Sequence, residues 1–312
     1  MGGPKVIVIT GPTATGKTAL GAALARMADG EVVSADSMQI YKHMDVGTAK
    51  PSESEKLGVA HYMLDVVLPW EGYSVARYVA DAAQCVDDIL RRGKLPVIVG
   101  GTGLYIDSLV SGREFPARGD AGLRRELEEE YEVHGGAAML RRLGGFDAAS
   151  AGRLHENDKK RIVRAIEVFL KTGKTVSEHD LESRLLPPRY DAVKFALTFT
   201  DRSGLYSRID LRVDGMVAGG LEGEVRGLLD MGVRRDHTAM QAIGYKEMSG
   251  FIHGECDLGS AVEKIKRESR RYAKRQLTWL RRDGGVRWIA RDEEPNVEAA
   301  ARSILHYCEV FL

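Results

Sequence analysis

The feature that most constrains this chain is a phosphate-binding loop set between a strand pattern and a helix pattern. Gly11-Pro12-Thr13-Ala14-Thr15-Gly16-Lys17-Thr18 satisfies G-x-x-x-x-G-K-[ST]. A β-branched apolar run at 6–10 precedes it, and residues 18–27 carry helix formers with apolar side chains at helical spacing. In such a setting the glycines let backbone N–H groups face phosphate oxygens at a helix N-terminus. Lys17 adds a positive charge, and the Thr18 hydroxyl can ligate Mg²⁺.

Two further strand patterns follow, at 31–34 and 95–99, with a helix pattern at 73–92 between them. The first runs into Ala35-Asp36-Ser37 and the second into Gly100-Gly101-Thr102-Gly103. Strands alternating with helices predict an α/β fold, a P-loop-type parallel sheet flanked by helices, with ligands beyond the carboxyl ends of the strands. From about 116 to 188 strand signals vanish and the text becomes helical and charged. Asn157 is a candidate N-cap there, Ile162, Val163, Ile166, Phe169 and Leu170 form an apolar face, and Gly173 is a stop. These signals predict an inserted all-helical domain at 116–188, leaving 1–115 and 189–312 as the α/β core. A returning strand is predicted at 192–199, and mostly helix thereafter. A chain of 312 residues suits one large domain with a smaller companion.

Lysine plus arginine balance aspartate plus glutamate at 45 each, which by itself offers no charge for a nucleic acid. The balance hides a patch: nine basic residues stand between Lys264 and Arg282, against Glu268 alone within the stretch. Cys85, Cys256 and Cys308 are far apart and lack C-x-x-C pairing, so neither a zinc site nor a disulfide framework is indicated. The first apolar run is too short for a signal peptide or membrane span, so a cytoplasmic protein with no membrane partner is expected.

A P-loop specifies a polyphosphate and not a reaction; a kinase or hydrolytic NTPase is the usual expectation. Here the 95–99 strand ends in Gly100-Gly101-Thr102, where such enzymes commonly place an acid. Asp36 ends the preceding strand and can serve as a general base, a metal ligand or a cap for Ser37.

Several segments resemble the tRNA dimethylallyltransferases: the P-loop; Ala35-Asp36-Ser37-Met38-Gln39-Ile40-Tyr41 with Asp45-Val46-Gly47-Thr48-Ala49-Lys50-Pro51; and Val99-Gly100-Gly101-Thr102-Gly103-Leu104-Tyr105. Asn157-Asp158, the stretch from Arg161 to Glu167, Gln241-Ala242-Ile243-Gly244-Tyr245-Lys246-Glu247 and Ala273-Lys274-Arg275-Gln276-Leu277-Thr278-Trp279-Leu280-Arg281 extend the likeness in the same order. Thr15 stands where that family often has Ser, and no C-terminal zinc-finger pattern follows, as in the compact bacterial type.

The resemblance implies transfer of a dimethylallyl group from dimethylallyl diphosphate to the exocyclic amine of the adenosine 3′ of the anticodon, in tRNAs reading codons that begin with U. Gly11 to Thr18, with Arg208 or Arg212, would hold the diphosphate with Mg²⁺ on Thr18, and Asp36, Thr102 and Lys17 would be catalytic. Asp36, Ser37, Met38, Gln39 and Thr102 would meet the base. Arg124, Lys160, Arg161, Ile162, Val163 and Arg164 on the insert, and Arg271 and Arg275 on the basic helix, would meet the rest of the anticodon stem-loop. A monomer is expected. Residue types alone leave other readings open: Arg208 and Arg212 also suit a solvated helix face, and the basic stretches suit an exposed one. Three rivals remain: a P-loop kinase of small metabolites, an isopentenyltransferase acting on free adenine nucleotides, and a nucleotide-gated RNA-binding protein.

Overall fold

The structure, a computed structural model, describes residues 3–113, 115 and 120–311. The chain divides into two compact units, Met1–Val110 with Arg189–Leu312, and Ser111–Pro188. Pro116, where the sequence predicts the insert to begin, lies outside the described residues.

The first unit is built on six parallel strands: β1 (Lys5–Thr10), β2 (Gly30–Ser34), β3 (His61–Tyr62), β4 (Leu95–Val99), β5 (Asp191–Thr198) and β6 (Arg287–Ala290). Their order is β3-β2-β4-β1-β5-β6, so β1 lies between β4 and β5, as a wound parallel sheet requires. Ile7, Ile9, Val32, Val97, Val99, Phe195 and Leu197 face one apolar layer, which the Lys17–Met27 and Val297–Phe311 helices close with Leu20, Leu24, Ile304 and Cys308. Glu31 opens β2 with its carboxylate buried, and Arg92 forks onto both of its oxygens at 2.6 Å, which makes burial of that charge tolerable. β3 and β6 are not visible in the sequence pattern. Both are short edge strands, of two and four residues, and their assignment rests on pairing with β2 and β5.

The carboxyl ends of β1, β2 and β4 come unusually close. Ala35 N–H donates to Val99 O at 2.8 Å, Gly100 N–H to Ile9 O at 3.1 Å and Thr102 N–H to Ala35 O at 3.1 Å. A Cβ on Gly100 would stand 2.2 Å from Ala35 O, and one on Gly11, whose φ is +138°, 2.5 Å from Leu197 O. The glycines are therefore demanded by backbone approach as well as by phosphate.

The described residues of the second unit are helical: Ala121–His134, Gly136–Gly144, Ala148–Ala151, Lys159–Thr172 and Val176–Leu185. Its core gathers Leu127, Met139, Leu143, Ile162, Val163 and Ile166. Two details of the predicted apolar helix are corrected. The residue at its N-cap is Asp158, one later than Asn157, and Leu170 is 49 % exposed although its spacing puts it on the face of 162, 163 and 166, because it sits in the last turn of the helix. Gly173 does end the helix, at φ 71°.

Replacing Gly100 by Ala is expected to lower unfolding free energy by about 3 kcal/mol, the upper end of overpacking costs, since the obstacle is backbone and cannot swing aside. Urea denaturation of the variant beside the parent reads this directly, and an unchanged midpoint would contradict the close approach.

Candidate active site

The P-loop leaves β1 and enters the Lys17–Met27 helix through Gly16, which is left-handed at φ 85°. Inside the loop Thr15 Oγ1 donates to Pro12 O at 2.8 Å, and Lys17 Nζ reaches the same oxygen at 2.7 Å. A residue from far along the chain completes it. The Gln276 side chain accepts from Thr13 N–H at 3.0 Å and donates to Gly101 O at 2.8 Å, tying the P-loop to the end of β4. Gln276 is 7 % exposed. Its sequence signal is a polar residue in the buried phase Ala261, Ile265, Ala273, Leu280 of an otherwise charged helix.

Asp36 follows β2. Its Oδ1 accepts from Met38 N–H at 2.8 Å and Gln39 N–H at 3.4 Å, an Asx-type turn that fixes the carboxylate; among the described residues Oδ2 has no hydrogen-bond partner. Thr102 Oγ1 accepts from Ser37 N–H at 3.1 Å and lies 3.3 Å from Ser37 Oγ, so the ends of β2 and β4 are joined by side chain as well as backbone. The Tyr272 hydroxyl also engages Thr102; burial, then the charge of Asp36, pushes its pKa up to about 12.

Two cavities open here and share four lining residues: Thr13, Asp36, Arg212 and Tyr272. The smaller is polar and holds Lys17, Thr18, Gly100, Gly101 and Gln276. The larger, of about 370 Å³, is apolar and lined by Met38, Ile209, Val213, Met216, Ile243 and Ile265, with Ser37 and Arg275 at its polar margin. Asp36 thus stands where the polar, cation-lined cavity meets the apolar one.

The cations of the smaller cavity are short of counter-charge. Burial above all, and then the neighbouring Arg212, lower the Lys17 pKa to about 7 even though Asp36 offsets part of both. Burial likewise weighs against the charge of Arg212, and its Nε is buried without a hydrogen-bond partner. An unpaired buried donor beside a desolvated ammonium marks a place for an anion. Arg208, one turn earlier on the Arg202–Ala218 helix, lines neither cavity; its Nε donates to Ala14 O at 3.1 Å and braces the P-loop from outside.

A loop from another layer walls the apolar cavity. Gly47 and Thr48 line it, and Glu224 holds the strand of chain before them by accepting from Asp45, Val46 and Gly47 N–H at 2.6, 2.8 and 3.0 Å, and from the Tyr245 hydroxyl at 2.5 Å. No local pattern foretells Glu224, which acts across nearly 180 residues of sequence.

Other sequence-predicted contacts fall differently. Gln39 is buried, its amide tied to Ser34 Oγ at 3.2 Å and to Thr48 O and Ala49 O at 3.3 Å, so it anchors the loops while lining the smaller cavity with Asp36. Ile162 and Val163, at 0 % and 1 % exposure, belong to the core of the second unit and offer RNA no side-chain surface. Arg124 and Arg164 each donate to the fully buried Glu167 at 2.8 Å. Lys160 and Arg161 are exposed on that helix. Arg271 is exposed and paired with Glu268, and the Arg275 guanidinium lies 5.6 Å from the Tyr272 ring centre.

The family model described as IPP transferase matches residues 39–283. The chain belongs to the IPP transferase family. It is 47 % identical to the tRNA dimethylallyltransferase of Acetivibrio thermocellus, across 98 % of both chains, and 46 % identical to that of Desulforudis audaxviator, across 97 % of both. Among solved structures it is similar to the full-length tRNA isopentenylpyrophosphate transferase of Bacillus halodurans, with TM-score 0.72 and 38 % identity over 98 % of this chain and 97 % of that one. A eukaryotic dimethylallyltransferase acting on tRNA matches with TM-score 0.82 and 29 % identity, over 96 % of this chain and 78 % of that one.

A Lys17 that titrates near 7 should take up a proton when a diphosphate binds, because the anion favours the charged form. Below pH 7 the lysine is already charged and no uptake is due; at pH 8 it is mostly neutral, so uptake approaches one proton and affinity falls up to about tenfold per further pH unit. Titration calorimetry of dimethylallyl diphosphate in buffers of different ionisation heat measures the uptake, and equal heats at pH 8 would contradict a desolvated Lys17.

Proposed function

We propose that this chain transfers the dimethylallyl group of dimethylallyl diphosphate to the N6 amine of the adenosine immediately 3′ of the anticodon, in tRNAs reading codons that begin with U. The observation that carries this reading is the junction of a polar, cation-lined cavity with an apolar one at Asp36. A kinase of small metabolites has no need of the apolar half. An enzyme acting on free adenine nucleotides has no need of the exposed arginines on the Leu258–Leu280 helix.

The diphosphate lies against the P-loop N–H groups, Lys17 and Arg212, whose charges meet the negative charge that grows on the leaving oxygen as the allylic C–O bond breaks. The bond that forms joins that carbon to N6, and the amine proton passes to Asp36 Oδ2, the oxygen not spent on the turn. Thr102, fixed by Ser37 and Tyr272, lines neither cavity but holds two residues that do, and orients the reacting groups through them. One residue here suits Mg²⁺: the Thr18 hydroxyl lines the polar cavity, and such an ion keeps water and takes most of its oxygens from phosphate. When bound there by Thr18, the ion would supply further neutralisation of the diphosphate. Lys160 and Arg161 on the second unit, and Arg271 and Arg275 on the basic helix, hold the anticodon arm by its phosphates.

Incubation with Mg²⁺, radiolabelled dimethylallyl diphosphate and unmodified tRNA should place label on that adenosine and none on free AMP; label on AMP alone, or ATP turnover, would replace this reading. Asp36→Ala should cut transfer by at least about 100-fold while tRNA affinity changes little. Equal loss of both would make Asp36 a docking residue. Arg212→Ala should raise the Kd for dimethylallyl diphosphate by roughly 100-fold, the scale of a charge-assisted contact, and Arg208→Ala by much less; the reverse ranking would transfer the clamp to Arg208.

A further inference from the structure

Trp279 stands close to the end of the Leu258–Leu280 helix with 39 % of its surface exposed, yet it is held in place. Its Nε1 donates to Asp107 Oδ2 at 2.7 Å, and Asp107 is steadied by Lys194 at 3.4 Å, which bonds Asp283 at 2.7 Å. Gly103 admits the ring: a Cβ there would lie 2.4 Å from indole Cδ1 and Nε1. Gly103 is the residue after Thr102, so the fixed indole adjoins the end of β4 that faces Asp36 through Ser37. Leu104, next along, is 40 % exposed and adds apolar surface beside it. The exposed stripe of the same helix carries Arg267, Arg271, Lys274 and Arg275 at spacings that lead to Trp279.

We propose that Trp279 is a stacking platform for an unpaired base of the anticodon loop next to the target adenosine. The inference rests on the tRNA reading above. Extruding one base from a stacked loop leaves its neighbours without a stacking partner. A rigid indole at the edge of the site replaces that partner without regard to sequence, since every base has a π-face. The neighbouring cations hold the flanking phosphates. Core packing alone asks neither for an anchored ring that stays exposed nor for cations in line with it.

The test uses the full chain with Trp70 and Trp288 changed to Phe, which leaves Trp279 as its sole tryptophan; neither replaced residue lines the two cavities. Titration with an unmodified, end-labelled anticodon stem-loop is followed at once by RNA anisotropy and by tryptophan emission. Emission quenched in step with binding is the expected result. Binding with emission unchanged overturns the platform, while no binding of the stem-loop at all overturns the tRNA reading and the platform with it. In steady state, Trp279→Leu should raise KM for tRNA roughly tenfold with KM for dimethylallyl diphosphate unchanged, and Trp279→Phe should recover most of the loss. Equal effects of Leu and Phe on both substrates would reduce Trp279 to a packing residue.

Discussion

The geometry of this site depends on a place where backbone meets backbone. Gly100 lies so close to Ala35 that no side chain fits between them, and the N–H groups of Ala35, Gly100 and Thr102 bond across β2, β4 and β1 at that point. The contact draws the P-loop, the Asp36 turn and Thr102 into one small volume, although they lie on three different connections. Gln276 then locks the arrangement from a fourth element, with one amide facing both the loop and the end of β4. A buried amide with both ends satisfied is worth more for the orientation it imposes than for its free energy, about 1 kcal/mol per bond.

Charge explains why so crowded a place remains reactive. Lys17 and Arg212 are withdrawn from water without enough acid to neutralise them, and Asp36 is the acidic residue that both of them feel. An arrangement balanced within the protein would bind an anion poorly, since the anion would have to displace an existing partner. On the proposed reading the anion would complete the arrangement, and the desolvation already suffered by the cations would strengthen each contact it made. On the other side of Asp36 the apolar wall offers no polar group to compete for that anion.

Much of the fold was legible because long apolar strands announce themselves. β1, β2, β4 and β5 fall within a residue or two of the runs that predict them, and the loops at their carboxyl ends carry the site. The short edges β3 and β6, of two and four residues, were not legible, being too brief for a pattern to show. Within the site, residues adjacent to the P-loop pattern were visible and those that support them from a distance were not. Glu224 is one of many acids on helices, and only the folded chain brings three loop N–H groups to its carboxylate. Gln39 was legible only in part: like Asp36 it lines the smaller cavity, but only the folded chain ties its amide to Ser34, Thr48 and Ala49.

Arg208 and Arg212 show where sequence reasoning reaches its limit. Spaced by four on one helix, they share a face and a composition, so periodicity cannot rank them. What separates them is one turn of rise, about 5.4 Å, against a loop whose outer carbonyl at Ala14 captures the first arginine. The second is left with a buried Nε that no protein group satisfies. On the proposed reading, one guanidinium stiffens the loop that would grip the phosphate, and the other is left short of partners for the phosphate to become one. The same spacing that makes the two arginines indistinguishable in sequence allows a single helix to perform both tasks.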